Sequence, residues 1–427
     1  MQLTLFKLII IVLTILSNLL LNPLVQANIA PNKADTKDGT ILNAGTLFHH
    51  QSKVFASERR FMVSLPERYA LYEQRQYPVL YVVDADFQFQ HVAAVSYHLA
   101  RMGKIPPMIV VGIANQGNSD YLYSSTWPVE GEADFGGAAR FHQYLANELI
   151  PYINNHYRTS DAQALAGYSL GGLFSLYAMM QSNTPFNAFL AMSPSIWVDN
   201  YALHNMVAPL LQQQKLTAPL FVSVANEQGM GVDKLIETLE QHAGNLSWQY
   251  QQYPNENHFT TALPALYDGL QFLAPNYGSF SDASNLTTLG DYTAVIEHYL
   301  QQKQQWAGFE IDWLQAYQFA KYLSWSKQYD QAPQALAKIN QHFPNSYTTV
   351  CIELAKGAII REQLPLAEQL LDACQQQGMT RPFWHHQRSK LYDKQANADK
   401  ASYHAQMAQR LAKQYQLASW EVWELAK

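Results

Sequence analysis

Cysteine is scarce in this chain: 427 residues hold only Cys351 and Cys374, both far toward the C-terminus. So few thiols, placed so late, leave catalysis to other side chains. Whether the two pair is open: facing helices would let them form one disulfide, and two buried helical thiols is the other reading. No CxxC or HExxH occurs, so no dedicated metal site is indicated. Charge is also thin. Charged residues make up 15% of the chain and the net charge is -6, with no Lys/Arg run interleaved with aromatics, which speaks against a nucleic-acid partner. What is plentiful is apolar side chain, 48% of residues, enough for the packed cores of two domains.

The N-terminus reads "MQLTLFKLIIIVLTILSNLLLNPLVQA", one lysine and an apolar core followed by Val25-Gln26-Ala27. That pattern predicts a signal peptide over residues 1–27, cleaved after Ala27, and a periplasmic or secreted protein. The competing reading is a retained membrane anchor, against which Asn18, Asn22 and Pro23 argue.

Over residues 41–274 compact β-type runs alternate with helical patterns, the signature of an α/β domain with a mostly parallel sheet. The runs are Phe61 to Pro66, Tyr77 to Val83, Pro107 to Ala114, Ala162 to Tyr168, Asn187 to Ser193, Pro219 to Ala225 and Ser247 to Pro254. Continuous apolar stretches such as "VLYVV" suit strands covered on both faces. Ala138 to Tyr157 has helical spacing with a kink expected at Pro151. Residues 275–290, rich in Ser, Asn and Gly, read as a linker. Residues 291–427 carry only helical periodicity and two hairpin-like units, "YDQAPQALAKINQHFP" and "LPLAEQLLDACQQQG", which suggest a TPR-like domain. A terminal amphipathic helix is expected through "ASYHAQMAQRLAKQY".

The chemistry centres on Gly167-Tyr168-Ser169-Leu170-Gly171, a G-x-S-x-G placed after an apolar strand and before a helix. Small residues suit the tight turn, which would expose the Ser169 hydroxyl and bring the Leu170 N–H toward a developing oxyanion. A plain Gly-Ser turn is the bland alternative. A serine hydroxyl needs a base. Of 14 histidines, only His204, His242 and His258 lie between Ser169 and the linker, and the first two fall inside predicted helices. His258, after the last strand, is the candidate base, though a loop histidine could simply cap the next helix. The acid should follow the strand Pro219 to Ala225. Glu227 at the strand end is preferred; Asp233, at the start of the next helix and also suited to capping it, is the alternative, and Asp199 comes third.

A second oxyanion donor is expected at the backbone N–H of Asp86 or Ala85. The carboxylates of Asp84 and Asp86 read as a solvated turn or local backbone caps rather than metal ligands. Tyr168, Ser195 and Trp197 are candidate substrate-pocket residues, Ser195 and Trp197 within "AMSPSIWVDN", where a packed loop is an equal reading; "YLYSSTWPV" offers aromatic surface near the pocket mouth. No cofactor is called for.

Taken in order, "YPVLYVVDAD", "ELIPYINNHYRTSDAQALAGYSLGGLFSLYAM", "AMSPSIW" and "NENHFTTALPALYDGLQFL" resemble the esterase family of α/β-hydrolases. That family takes in esterase D-type enzymes, feruloyl esterases, mycolyltransferases and siderophore trilactone esterases, the last being nearest in likeness. The resemblance covers residues 41–274. It implies an α/β-hydrolase fold, a small-molecule ester substrate, Ser169 as nucleophile, His258 as base, Glu227 as acid, and oxyanion N–H groups at Leu170 and near Asp86. The chain departs from the family at Asp84-Ala85, where members carry Asp-Gly, and at "YLYSSTWPV", where they carry an arginine-bearing segment. The expected activity is acyl-enzyme hydrolysis of carboxylic esters; acyl transfer to an alcohol uses the same machinery. A different class of reading is a catalytically silent scaffold whose helical repeats recruit a protein partner.

Overall fold

The computed structural model describes residues 44–278, 282–306 and 308–426. The expected signal peptide and its cleavage point lie outside the described residues. Eight strands form one sheet: β1 (Thr46–Ser52), β2 (Ser57–Ser64), β3 (Tyr77–Val83), β4 (Ile109–Ile113), β5 (Thr159–Tyr168), β6 (Ala188–Met192), β7 (Leu220–Ala225) and β8 (Trp248–Tyr253). Their order is β1-β2-β4-β3-β5-β6-β7-β8. Every neighbouring pair from β4 to β8 is parallel, and β2 runs antiparallel to both β1 and β4. With helices between the strands, this is the α/β-hydrolase architecture expected from the sequence.

The apolar runs become strands because both faces of the sheet are covered. Successive side chains of β3 point to opposite sides. Leu80 and Val82 enter one core with Phe89 and Val92 of the helix Ala85–Arg101 and Leu266 and Leu270 of the helix Ala262–Leu273. Val79, Tyr81 and Val83 enter the other, with Phe141, Leu173, Phe174 and Leu203 from helices on the opposite face. Full burial of each large apolar side chain contributes about 1.5–3 kcal/mol. Strand β1 was not expected. Its sequence "TLFHHQS" has no apolar run, and it lies at the sheet edge with residues alternately exposed and sheltered.

Pro151 disturbs its helix, but as a widened turn. The α-helical segments Ala138–Tyr144 and Ile150–His156 flank a π-helical turn at Leu145–Leu149, where the Ile150 N–H reaches back to the Leu145 carbonyl. A proline lacks the N–H that would close the bond to Asn147 and its ring crowds that carbonyl; a wider turn just before it relieves both.

From residue 282 onward the described residues hold helices and no strand. Several starts are written in the sequence as carboxylate or amide caps: Asp282 accepts from the Asn285 N–H, Asp291 from Thr293 and Ala294, Asp312 from Leu314, and Asn397 from Lys400. The terminal amphipathic helix is Ala398–Gln414, and a further short helix, Ser419–Glu424, follows it. Within the stretch expected as a linker, Ala283–Thr287 is helical and buries Ala283 and Leu286. The apolar core on the Leu80 face runs on into this region through Tyr277, Val295, Tyr299, Phe309 and Phe319. Two ion pairs join the same parts of the chain: Arg68 Nε to Glu421 Oε1 at 2.6 Å, and Arg75 to Asp312 at 3.6 Å. Cys351, in the helix Tyr347–Ile360, and Cys374, the residue that ends the neighbouring helix Leu364–Ala373, form a disulfide with Cα atoms 6.5 Å apart. On a chain-entropy account, closing a loop of this size stabilises by about 3 kcal/mol.

Candidate active site

Strand β5 lies at the middle of the sheet and delivers its last residue, Tyr168, to the carboxyl edge. Ser169 then takes φ 59° and ψ -121° before the helix Leu170–Met179 begins. An L-residue held at positive φ stores of order 1–3 kcal/mol of strain, sustained here by surrounding bonds. The Ser169 N–H donates to the Met192 carbonyl at 3.0 Å, and the Ser169 carbonyl accepts from Leu173 and Ser195, each at 3.0 Å. Glycines permit the turn by closeness: a methyl at Gly167 would fall on the Gly171 carbonyl, and one at Gly172 would lie 3.1 Å from both the Met192 carbonyl and Pro194.

Two later loops bring the other groups. Glu227 follows β7 and His258 follows β8, and the two loops are tied by the Asn226 N–H donating to the Glu256 carbonyl at 2.9 Å. The Asn257 side-chain oxygen accepts from the Phe259 N–H at 2.9 Å and the Asn257 backbone N–H donates to Thr260 Oγ1 at 3.0 Å, fixing the turn that presents His258. His258 Nε2 lies 3.0 Å from Ser169 Oγ and His258 Nδ1 lies 2.6 Å from Glu227 Oε2. Burial works to raise the Glu227 pKa, but hydrogen bonding from His258 and Ser193, the charge of His258 and the Ala225 N–H outweigh it, and the net direction is down from 4.5. An ionised carboxylate can only accept, so in the neutral imidazole Nδ1 carries the proton and Nε2 can accept from Ser169.

Asp233, the alternative acid, is exposed in the first turn of the helix Val232–His242, makes no cap there, and its charge acts on His204 and Tyr250. Asp199 accepts from Trp127 Nε1 at 3.0 Å. His204 and His242 lie in helices as expected.

Ala85 and Asp86 occupy the first turn of the helix Ala85–Arg101, where N–H groups have no intrahelical acceptor. The Leu170 N–H opens the helix after Ser169 and lies against the Tyr121 hydroxyl, which accepts from the Gly171 N–H and donates to the Tyr168 carbonyl, each at 3.1 Å. Asp84 is not the solvated turn or cap that the sequence suggests. Asp84 is buried, in the left-handed region, caps nothing, and accepts from Asn115 Nδ2 at 3.0 Å. Burial, opposed by that hydrogen bond and aided by the Asp86 charge, pushes its pKa up to about 6. Asp86 accepts from the Asn115 N–H at 3.2 Å and lies 3.5 Å from Arg60. Among the described residues no cluster of three or more His, Cys, Asp or Glu is placed to hold a metal.

The pocket candidates separate. Trp197 is half-buried and packs on the core of the opposite sheet face. Tyr168 donates its hydroxyl to the His258 carbonyl and tilts its ring against the imidazole, centroids 5.1 Å apart. Ser195 is buried, with Oγ 3.2 Å from Ser169 Oγ. Neither contact is visible in a motif, because each depends on loops that meet only in the fold.

Comparison with known proteins decides the family. The Esterase family, described as "Putative esterase", matches residues 52–265, half of the chain. The chain belongs to this esterase family. Protein YbbA of Bacillus subtilis (strain 168), itself uncharacterized, is 26% identical over 226 residues, 51% of this esterase chain and 84% of YbbA. Ferri-bacillibactin esterase BesA of the same organism is 28% identical over 144 residues, 28% of this chain and 48% of BesA. The match thus spans about half the length of that characterised relative. Among solved structures, an IroE-like serine hydrolase from Shewanella oneidensis is similar with a TM-score of 0.58 and 25% identity, covering 70% of this esterase and 99% of that chain.

Proposed function

We propose that this protein is an exported serine esterase that cleaves carboxylic esters through an acyl-enzyme intermediate. The observation that carries the reading is the hydrogen-bonded series Glu227, His258, Ser169, with links of 2.6 and 3.0 Å, on a strained strand-to-helix turn. Ser169 Oγ attacks the ester carbonyl as its proton passes to His258 Nε2. Glu227 holds the imidazole in the tautomer that can accept and stabilises the imidazolium that results. The oxyanion is received by the N–H groups of Leu170 and Asp86, at the start of two helices whose dipoles favour negative charge. His258 returns the proton to the leaving alkoxide, and water repeats the sequence on the acyl-enzyme.

Export is supported by the signal-like N-terminus and by the Cys351–Cys374 disulfide, which belongs with an oxidising compartment. Among the described residues no helix is long and apolar enough to cross a membrane. The kinship with BesA makes siderophore-type lactones the first natural esters to try, alongside aryl and short acyl esters.

The test is labelling by a fluorophosphonate probe together with p-nitrophenyl acetate hydrolysis, in the wild type and in Ser169→Ala. Stoichiometric labelling lost on substitution is expected; a folded wild type that neither labels nor hydrolyses would overturn the esterase reading. A mature N-terminus at Asn28 in exported protein tests the localisation.

A further inference from the structure

Beside the imidazole, the nucleophile has a second polar neighbour. Ser195 Oγ lies 3.2 Å from Ser169 Oγ, and Ser195 is 2% exposed, so no solvent competes for that contact. Its position is over-determined. The segment after β6 is fastened to the turn from both sides, by the Ser169 N–H on the Met192 carbonyl and by the Ser195 N–H on the Ser169 carbonyl. Gly172 lets Pro194 approach the helix start within contact distance, which keeps Ser195 on the nucleophile.

The direction of the hydrogen bond follows from counting protons. Glu227 below its ordinary range accepts from His258 Nδ1, so in the neutral imidazole Nε2 is an acceptor and takes the single Ser169 proton. Ser169 Oγ then has only lone pairs left. Ser195 must be the donor.

From this geometry we propose that Ser195 is a further catalytic residue, a hydroxyl that donates to the nucleophilic oxygen while charge develops on it. The inference rests on Ser169 being the nucleophile. During acylation the bond from Ser169 Oγ to the carbonyl carbon forms, the Ser169 proton moves to His258 Nε2, and the Ser195 proton stays on Ser195. Its hydrogen bond strengthens as Oγ gains negative character and weakens once Oγ is an ester oxygen. When deacylation breaks the same carbon–oxygen bond, Oγ again departs with negative character and the donation is restored until His258 returns the proton. The contribution therefore falls on the chemical steps rather than on substrate binding.

Three variants test this against p-nitrophenyl acetate and a fluorophosphonate probe, with Ser169→Ala as the reference. In Ser195→Ala, kcat and the labelling rate constant are expected to fall about 10- to 100-fold, the scale of one charge-assisted hydrogen bond, with KM little changed and labelling still reaching one site per chain. Ser195→Thr and Ser195→Val add the same methyl group and differ in the hydroxyl alone; threonine is expected to exceed valine by at least about tenfold in kcat. That pair decides the matter even if the alanine variant folds poorly. Equal rates for the threonine and valine variants, or a wild-type rate in a folded Ser195→Ala, would overturn the role of Ser195. Hydrolysis surviving in Ser169→Ala would instead overturn the nucleophile assignment on which it rests.

Discussion

Replacing Glu227 by glutamine tests the electrostatic logic of the site with the least change of shape. The carboxylate and the imidazole meet at 2.6 Å, with side chains 10% and 29% exposed, so the pair is sheltered but not dry. With charge centres roughly 4 Å apart and an effective dielectric of about 20, the carboxylate stabilises a developing imidazolium by about 4 kcal/mol. At 1.36 kcal/mol per factor of ten, that corresponds to a loss of about a thousandfold in kcat. The amide adds a second defect, because its NH2 can donate to Nδ1 and leave Nε2 protonated, unable to accept from Ser169. Both effects slow p-nitrophenyl acetate turnover and fluorophosphonate labelling alike, because each reaction passes through the same transfer of the Ser169 proton to His258. A Glu227→Gln enzyme within about tenfold of the wild type would refute the assigned role. The same substitution has a stability signature. The folded pKa of Glu227 lies below 4.5, so its contribution is fully present above that pH and is lost as pH falls through the lower folded value. Glutamine should remove that part of the acid slope.

Three further outcomes are expected. The Arg68–Glu421 pair, with side chains 8% and 1% exposed, leaves a buried unpaired charge when halved; Glu421→Ala should cost about 3–5 kcal/mol in urea unfolding, and an unchanged midpoint would remove the pair from the stability account. Gly167→Ala pushes a methyl into the Gly171 carbonyl, so it should abolish fluorophosphonate labelling or unfold the turn, and normal labelling would show that the turn can open. His404, whose Nδ1 meets that of His385 at 2.8 Å, is pushed down to about 4 by burial and then by the charges of His385, Arg388 and Lys400. Its folded pKa lies below the ordinary 6.5, so the unfolded chain takes up the proton first: stability should hold above about pH 6.5 and decline toward pH 4, and His404→Gln should flatten that decline in pH-dependent urea midpoints.

How legible each feature was depended on whether its cause is local. Strands β3, β4 and β6 announce themselves because burial on both faces demands near-continuous apolar side chains, whereas β1 at the sheet edge needs no such run and its "TLFHHQS" passes for a loop. Glu227 was preferred to Asp233 because it sits at the strand end, and the fold puts that end beside the loop of His258 while Asp233 faces outward. Pro151 marks an irregularity in its helix, but not that the Ile150 N–H reaches back five residues to the Leu145 carbonyl and widens the turn instead of breaking it. The disulfide is not legible from two cysteines 23 residues apart, since it requires the end of one helix to bring Cys374 within 6.5 Å, Cα to Cα, of Cys351 on the next. Least legible were hydroxyls. Ser195 and Tyr168 read from the sequence as pocket lining, yet one reaches the Ser169 hydroxyl and the other the His258 backbone, across 26 and 90 residues.

The helix Ala85–Arg101 is a rod of about 25 Å that connects the loop after β3 to the contacts made by Arg101. Its first turn carries the proposed Asp86 donor. Its last turn carries Arg101, which holds Glu67 at 3.3 Å and lies over the Trp420 ring at 4.7 Å. Trp420 belongs to the terminal helix Ser419–Glu424, so the tail of the chain bears on the far end of a helix whose near end carries the N–H proposed for the oxyanion. A tug on that tail should be felt as a change in kcat rather than in folding alone; Trp420→Ala reads it, and an unaltered kcat would confine the contact to mechanical support.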